Sequence, residues 1–132
     1  MSEWVAEVAT RALPHPVRRG DSPRVKDVLT EYCISRDEEC AMTSRLDLGE
    51  SRYGVPLYVS NGRDPLVDLI QELADASVYV IQYAESTRPE DGGFPADRSG
   101  MELAYETFEL LSRALREYER REDRAARATD DA

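Results

Sequence analysis

Four carboxylates stand in two i, i+3 pairs: Asp47 with Glu50 in LDLGESRYG, and Glu72 with Asp75 in DPLVDLIQELADASVYVIQY. Residues three apart project from one side of a helix, so two such pairs on neighbouring helices can converge on one point. Oxygen-only ligands suit Mg²⁺, with Mn²⁺ as an alternative, and a divalent ion held by carboxylates is equipment for phosphate chemistry. Arg45, Arg52 and Arg63 are placed to meet phosphate oxygens, and Tyr53 or Tyr79 to stack on a base. Arg63 also precedes a helix start, where backbone N–H groups attract anions. The same residues have a plainer reading. With 27 acidic residues among 132, acidic pairs opposite an apolar face are what amphipathic helices produce, and Arg45 and Arg52 can pair with Asp47 and Glu50 along one helix. Asp64 reads as a helix cap, and Asp68, Glu106 and Glu109 as solvated charges.

The elements that must position these groups are helical throughout. Trp4, Val5, Val8, Ala12 and Leu13 recur at helical spacing after Ser2, a good N-cap, and Pro14 and Pro16 end that pattern. Ser22-Pro23 opens a second helix with Val25, Val28, Leu29, Tyr32 and Cys33 as its stripe; it continues or breaks at residues 35–37 and resumes with Met42, Leu46 and Tyr53 up to Gly54. Gly49 falls inside this stretch and suggests close approach of a helix or ligand. Asn61-Gly62 signals a turn. Asp64-Pro65 starts the clearest helix, with Leu66, Leu69, Ile70, Leu73, Val78, Val80 and Ile81 on one broad side and Asp68, Glu72, Asp75 and Tyr79 on the other. Ser99 with Glu102 forms a capping-box pattern before the last helix, whose seam is Met101, Tyr105, Phe108, Leu115 and Tyr118. The expected organisation is a short helix and connector over 1–22, a helical bundle over 23–122 and a disordered tail over 123–132. So few long helices leave apolar seams that a homo-oligomer would cover.

Composition removes several classes of function. A net charge of −10 with a single lysine, Lys26, argues against a nucleic-acid partner, whose phosphates call for clustered cations. Cys33 and Cys40 would lie about 10.5 Å apart on a continuous helix, too far for a disulfide, and His15 is the only histidine. That argues for a reducing compartment and against a zinc site or a catalytic triad. There is no apolar run of membrane-spanning length and no signal-peptide pattern, so a cytoplasmic protein with no membrane partner is expected.

Glu72-Leu73-Ala74-Asp75, followed by Val78-Tyr79-Val80, resembles the Glu-x-x-Asp helix of the MazG-like all-α nucleotide pyrophosphohydrolases. Arg52-Tyr53-Gly54 at a helix end and the Asn61-Gly62-Arg63-Asp64 turn resemble related phage and actinobacterial proteins. The family supplies a Glu-x-x-Glu pair from an earlier helix; here Asp47-x-x-Glu50 stands in that order, and Leu69 stands where the family has a lysine. The resemblance covers residues 37–85. It implies an all-α bundle of three to four helices, assembled as a homodimer or homotetramer, that cleaves (deoxy)nucleoside triphosphates to monophosphate and pyrophosphate with Mg²⁺. Glu50, Glu72 and Asp75 would then be the catalytic ligands and Asp47 a fourth, with Arg52, Arg63 and Tyr79 against the nucleotide. A rival stays open: a non-catalytic helical binding protein, phage-encoded in kind, that captures a nucleotide or a host protein through the loops at 55–64 and 87–98.

Overall fold

Asp64 does what its type and position predict: its Oδ1 accepts the N–H groups of Leu66 at 3.0 Å and Val67 at 3.4 Å, and Pro65 follows at the first helical position. The computed structural model describes residues 3–32, 34–93 and 97–131. The expected cap at Ser2 and the stripe position Cys33 lie outside them. The described residues form α1 (Glu3–Thr10), α2 (Val25–Val28), a 3₁₀ turn (Leu29–Glu31), α3 (Arg36–Tyr53), α4 (Pro65–Ser86) and α5 (Arg98–Asp130), with no β-strand among them. The fold is all-α. Two compact units divide it: Met1–Ala12 with Asp64–Ala132, and Leu13–Arg63.

In the first unit α4 and α5 form an antiparallel hairpin, since Asp64 at the start of α4 meets Arg121 while Tyr83 near its end lies against Gly100. Small residues let the helices approach: Ser77 and Ala84 on α4, Gly100, Ala104 and Ala114 on α5, all buried. Val67, Ile70 and Val80 fill the remainder of the seam. Packed on the hairpin, α1 buries Val8 completely. The amide of Gln71 donates to the carbonyls of Val8 at 3.1 Å and Arg11 at 2.9 Å, satisfying acceptors at the end of α1. Trp4 stacks on Tyr118 at 5.5 Å, and Arg11 donates to the Tyr118 hydroxyl at 3.1 Å.

Three features differ from the sequence reading. Asp97, not Ser99, caps α5, accepting the Ser99 N–H at 3.0 Å and the Ser99 hydroxyl at 2.7 Å. Residues 123–130 continue α5 where a disordered tail is expected; they are rich in Ala and Arg, which keep a helix without apolar contacts. Finally, the apolar arc of α4 is broader than one neighbouring helix covers. Val78 is 65% exposed, and Leu69 and Ile81 are about half exposed, while the line Val67, Ile70, Ser77, Val80, Ala84 is buried. Of the expected α5 seam, Tyr118 is buried and Met101, Phe108 and Leu115 partly so, whereas Tyr105 is 63% exposed.

In the second unit Ser35 caps α3 through a reciprocal box, its hydroxyl accepting the Glu38 N–H at 3.2 Å and its own N–H reaching the Glu38 carboxylate at 3.4 Å. The helical pattern therefore breaks before residue 36. Gly54, at φ 75°, ends α3 in the left-handed conformation that favours glycine. The connector at 17–25 and the loop at 57–61 lie side by side, with Val17, Arg19 and Val25 donating to Asn61, Ser60 and Leu57, and Val59 donating to Pro23, all at 2.9–3.0 Å. Gly49 has open space, not a close neighbour, where a Cβ would be. Nothing there offsets the helix penalty of glycine, so Gly49→Ala should stabilise this unit by about 0.5–1 kcal/mol, seen as a raised denaturant midpoint at unchanged slope. A destabilised variant would show that something does occupy that space.

Candidate functional site

Both carboxylate pairs are built as their spacing requires, one helical turn apart and exposed, on α3 and α4 respectively. Their surroundings differ. In the second unit Lys26, from α2, donates to Asp47 at 2.8 Å, an ion pair with both partners about half exposed. Arg24, Lys26, Leu46, Asp47, Glu50, Pro56 and Leu57 line one recess of about 10 Å³. That is the room of about one water. The Arg24 guanidinium is held further toward its charged form by its hydrogen bonds to Asp27 and, less strongly, by the charge of Glu50. Asp47 and Glu50 therefore sit beside cations supplied by their own unit. The expected helical partners Arg45 and Arg52 are exposed on α3.

In the first unit Glu72 and Asp75 face away from α5, with no hydrogen-bonded or ion-paired partner among the described residues. Tyr79, on the same outer side of α4, is 67% exposed. Arg63 is partly buried, and its N–H donates to the Asn61 side chain at 3.0 Å, inside the turn that precedes the Asp64 cap. Gly62 stands at φ 81°, as the Asn-Gly signal anticipates. Within neither unit do three or more His, Cys, Asp or Glu side chains gather as a metal-holding group among the described residues.

What sequence reasoning missed lies on the other faces of the hairpin. Arg121 donates to both Asp64 oxygens and rests over the Tyr118 ring at 5.1 Å, tying the end of the apolar pattern to the α4 cap. Its signal is an arginine one turn beyond Tyr118, which also fits a plain surface charge. The second missed feature is apolar. Leu69 and Tyr83 on α4 are 48% and 49% exposed, and Leu103 and Leu110 on α5 are 50% and 49% exposed. At 100° per residue these four stand to one side of the buried seam on both helices, and Gln71, which binds α1, stands to the other side. Beside Leu110 an open hollow of about 450 Å³ is bounded by Tyr105, Glu106, Glu109 and Arg113.

No helix among the described residues is long and apolar enough to cross a membrane. Comparison with protein-family models, with curated proteins and with solved structures finds no match to this chain.

Proposed function

We propose that this chain is a non-catalytic helical binding protein that takes a protein partner on the apolar face of its α4/α5 hairpin. One observation carries the reading: Leu69, Tyr83, Leu103 and Leu110 are each about half exposed on one side of that hairpin. Contiguous apolar surface of more than a few hundred Å² is rare on monomers and marks interaction sites. The hairpin behind the face is a rigid support, closed by a seam of small residues and by α1. A photo-crosslinking residue placed at Leu110 should trap a protein, while the same residue at Glu109, one position around the helix, should trap none. Equal trapping at both positions, or none at either, would remove the reading.

A second reading is favoured by a different observation, the free and exposed Glu72 and Asp75 one turn apart on α4. It is a Mg²⁺-dependent pyrophosphohydrolase acting on (deoxy)nucleoside triphosphates, as the MazG-like resemblance implies. On α4, Glu72 and Asp75 would hold the ion, which neutralises phosphate charge, with Tyr79 for the nucleotide; the resemblance assigns the remaining roles to Asp47 and Glu50 as ligands and to Arg52 and Arg63 as nucleotide contacts. Two free carboxylates on α4 fit an ion that keeps several waters and takes phosphate oxygens, whereas Asp47 would first have to exchange Lys26 for the metal. Incubation with a panel of nucleoside triphosphates and Mg²⁺ decides between the two. Pyrophosphate release abolished by Glu72→Gln would establish the enzyme; its absence across the panel leaves the binding protein.

A further inference from the structure

The hairpin carries a second surface, on the Gln71 side, and the structure shows what chemistry fills it: α1. We infer that this surface is a helix-binding groove in which α1 is the resident ligand, displaced by a short helix of a partner protein. The site is distinct from the outer face of Leu69, Tyr83, Leu103 and Leu110. Helix α1 has eight residues, whereas isolated helices shorter than about 12–15 residues are marginal in water, so it holds its shape because it is docked. It is not an extension of the hairpin either. The whole of the second unit, Leu13–Arg63, separates it from α4 in sequence, and Val8 is its one fully buried side chain.

What the groove reads follows from its contacts. Tyr118 stacks on Trp4 at 5.5 Å with the rings 14° from parallel, and Val8 enters one turn further on. The Tyr118 hydroxyl accepts from Arg11 at 3.1 Å. The Gln71 amide then donates to the carbonyls of Val8 at 3.1 Å and Arg11 at 2.9 Å, groups that a continuing helix would turn to its own N–H donors. Gln71 therefore selects a helix that ends there. Anchors one turn apart in a groove, with the helix end held, are the mode by which a protein takes an amphipathic helix from another chain.

Charge identifies the occupant as a partner and not as α1 of a second copy. Asp68 and Asp75 stand three residues before and four after Gln71, on its face of α4, and α4 carries no lysine or arginine. To this surface α1 brings two more carboxylates, Glu3 and Glu7, of which Arg11 offsets only Glu7, at 2.7 Å. Its shape suits the groove better than its charge. A helix with the same aromatic, β-branched and arginine anchors, and with lysine in place of Glu3 and Glu7, keeps every groove contact and adds attraction to α4.

Trp4 is the only tryptophan, so its emission in the full chain reports whether α1 is docked. The probe is a peptide of residues 3–13 carrying Trp4→Phe, Glu3→Lys and Glu7→Lys. At about 1 mM, the order of the effective concentration of a tethered helix, it should move about half of the Trp4 emission to the red, as for a solvated indole. The same peptide with Val8→Asp should move none, and one retaining Glu3 and Glu7 should need about three- to tenfold more. A second measurement uses the full chain with Val8→Asp, which frees the groove without altering it. The labelled probe should bind that chain at least about tenfold more tightly than wild type, with the circular dichroism of the hairpin retained. No shift of Trp4 at several mM, or an equal shift with the Val8→Asp peptide, would overturn the proposal. So would collapse of the hairpin's helicity in the Val8→Asp chain, because α1 would then belong to the folding core. Equal potency of the peptide retaining Glu3 and Glu7 would overturn the partner assignment and give the groove to a second copy.

Discussion

Ile70→Ala should destabilise the unit of α1, α4 and α5 by about 3 kcal/mol, within the 2–5 kcal/mol span of buried isoleucine truncations. For a domain of this size that lowers the melting midpoint by more than about 10 °C. Ile70 is 1% exposed and, with Val8 and Val67, is one of the largest fully buried side chains among the described residues. At its level on α5 stands Ala114, which has no long side chain to swing into a cavity, so the site should relax little. Val78→Ala is the matched comparison. The periodicity of α4 assigns both residues to one apolar side, yet Val78 is 65% exposed and its truncation should change stability by less than about 0.5 kcal/mol. Thermal melts followed by circular dichroism check the pair, and equal losses would show that the buried line of α4 is wrongly placed.

That comparison shows where the sequence is legible and where it is not. Helix starts and stops are local chemistry: Asp64-Pro65 and Gly54 each act within a few residues of themselves and stand where their types predict, and the box of Ser35 with Glu38 decides the break at 35–37 that the pattern leaves open. The α5 start is the exception, because Asp97 caps two residues earlier, and its carboxylate takes the N–H and hydroxyl of Ser99, which thereby lies inside the first turn. Which part of a wide apolar arc is buried depends on the partner helix. On α4 the contact runs through Ser77 and Ala84 and on α5 through Gly100, Ala104 and Ala114, residues too small to register in a hydrophobic pattern. The candidate carboxylates follow the same division. Spacing places Glu72 and Asp75 on one outer side of α4, but it does not reveal that Asp47 meets Lys26, a residue from a separate helix. Of the apolar face only Leu69 belongs to the arc that periodicity gives; Tyr83, Leu103 and Leu110 gain meaning from the pairing of the two helices.

Asp64→Ala should be nearly as damaging as Ile70→Ala, for an electrostatic reason. Removing the carboxylate deletes the N-cap of α4, typically about 1 kcal/mol. It also strands Arg121, whose charge-assisted hydrogen bonds are of a kind typically contributing about 1.5–3 kcal/mol. Arg121 rests over the Tyr118 ring, and Tyr118 stacks on Trp4, so loosening it weakens the docking of α1 as well. A total of about 2–3 kcal/mol is expected, allowing for the partial exposure of both partners. Asp64→Asn separates the two contributions, because asparagine can still cap while the charge is gone; it should recover roughly the capping part. The pH dependence gives an independent sign. Hydrogen bonds from Arg121, helped by the Leu66 and Val67 N–H groups and opposed by burial, hold the Asp64 carboxyl below its ordinary value. A lowered folded value means that its stabilisation is complete above the unfolded carboxyl pKa, about 3.9, and is lost as pH falls through the folded value. The stability gap between wild type and Asp64→Asn should therefore be constant from pH 7 to about pH 5 and close below about pH 4. A gap that persisted undiminished in acid would show that the loss comes from shape at this position and not from the Arg121 ion pair.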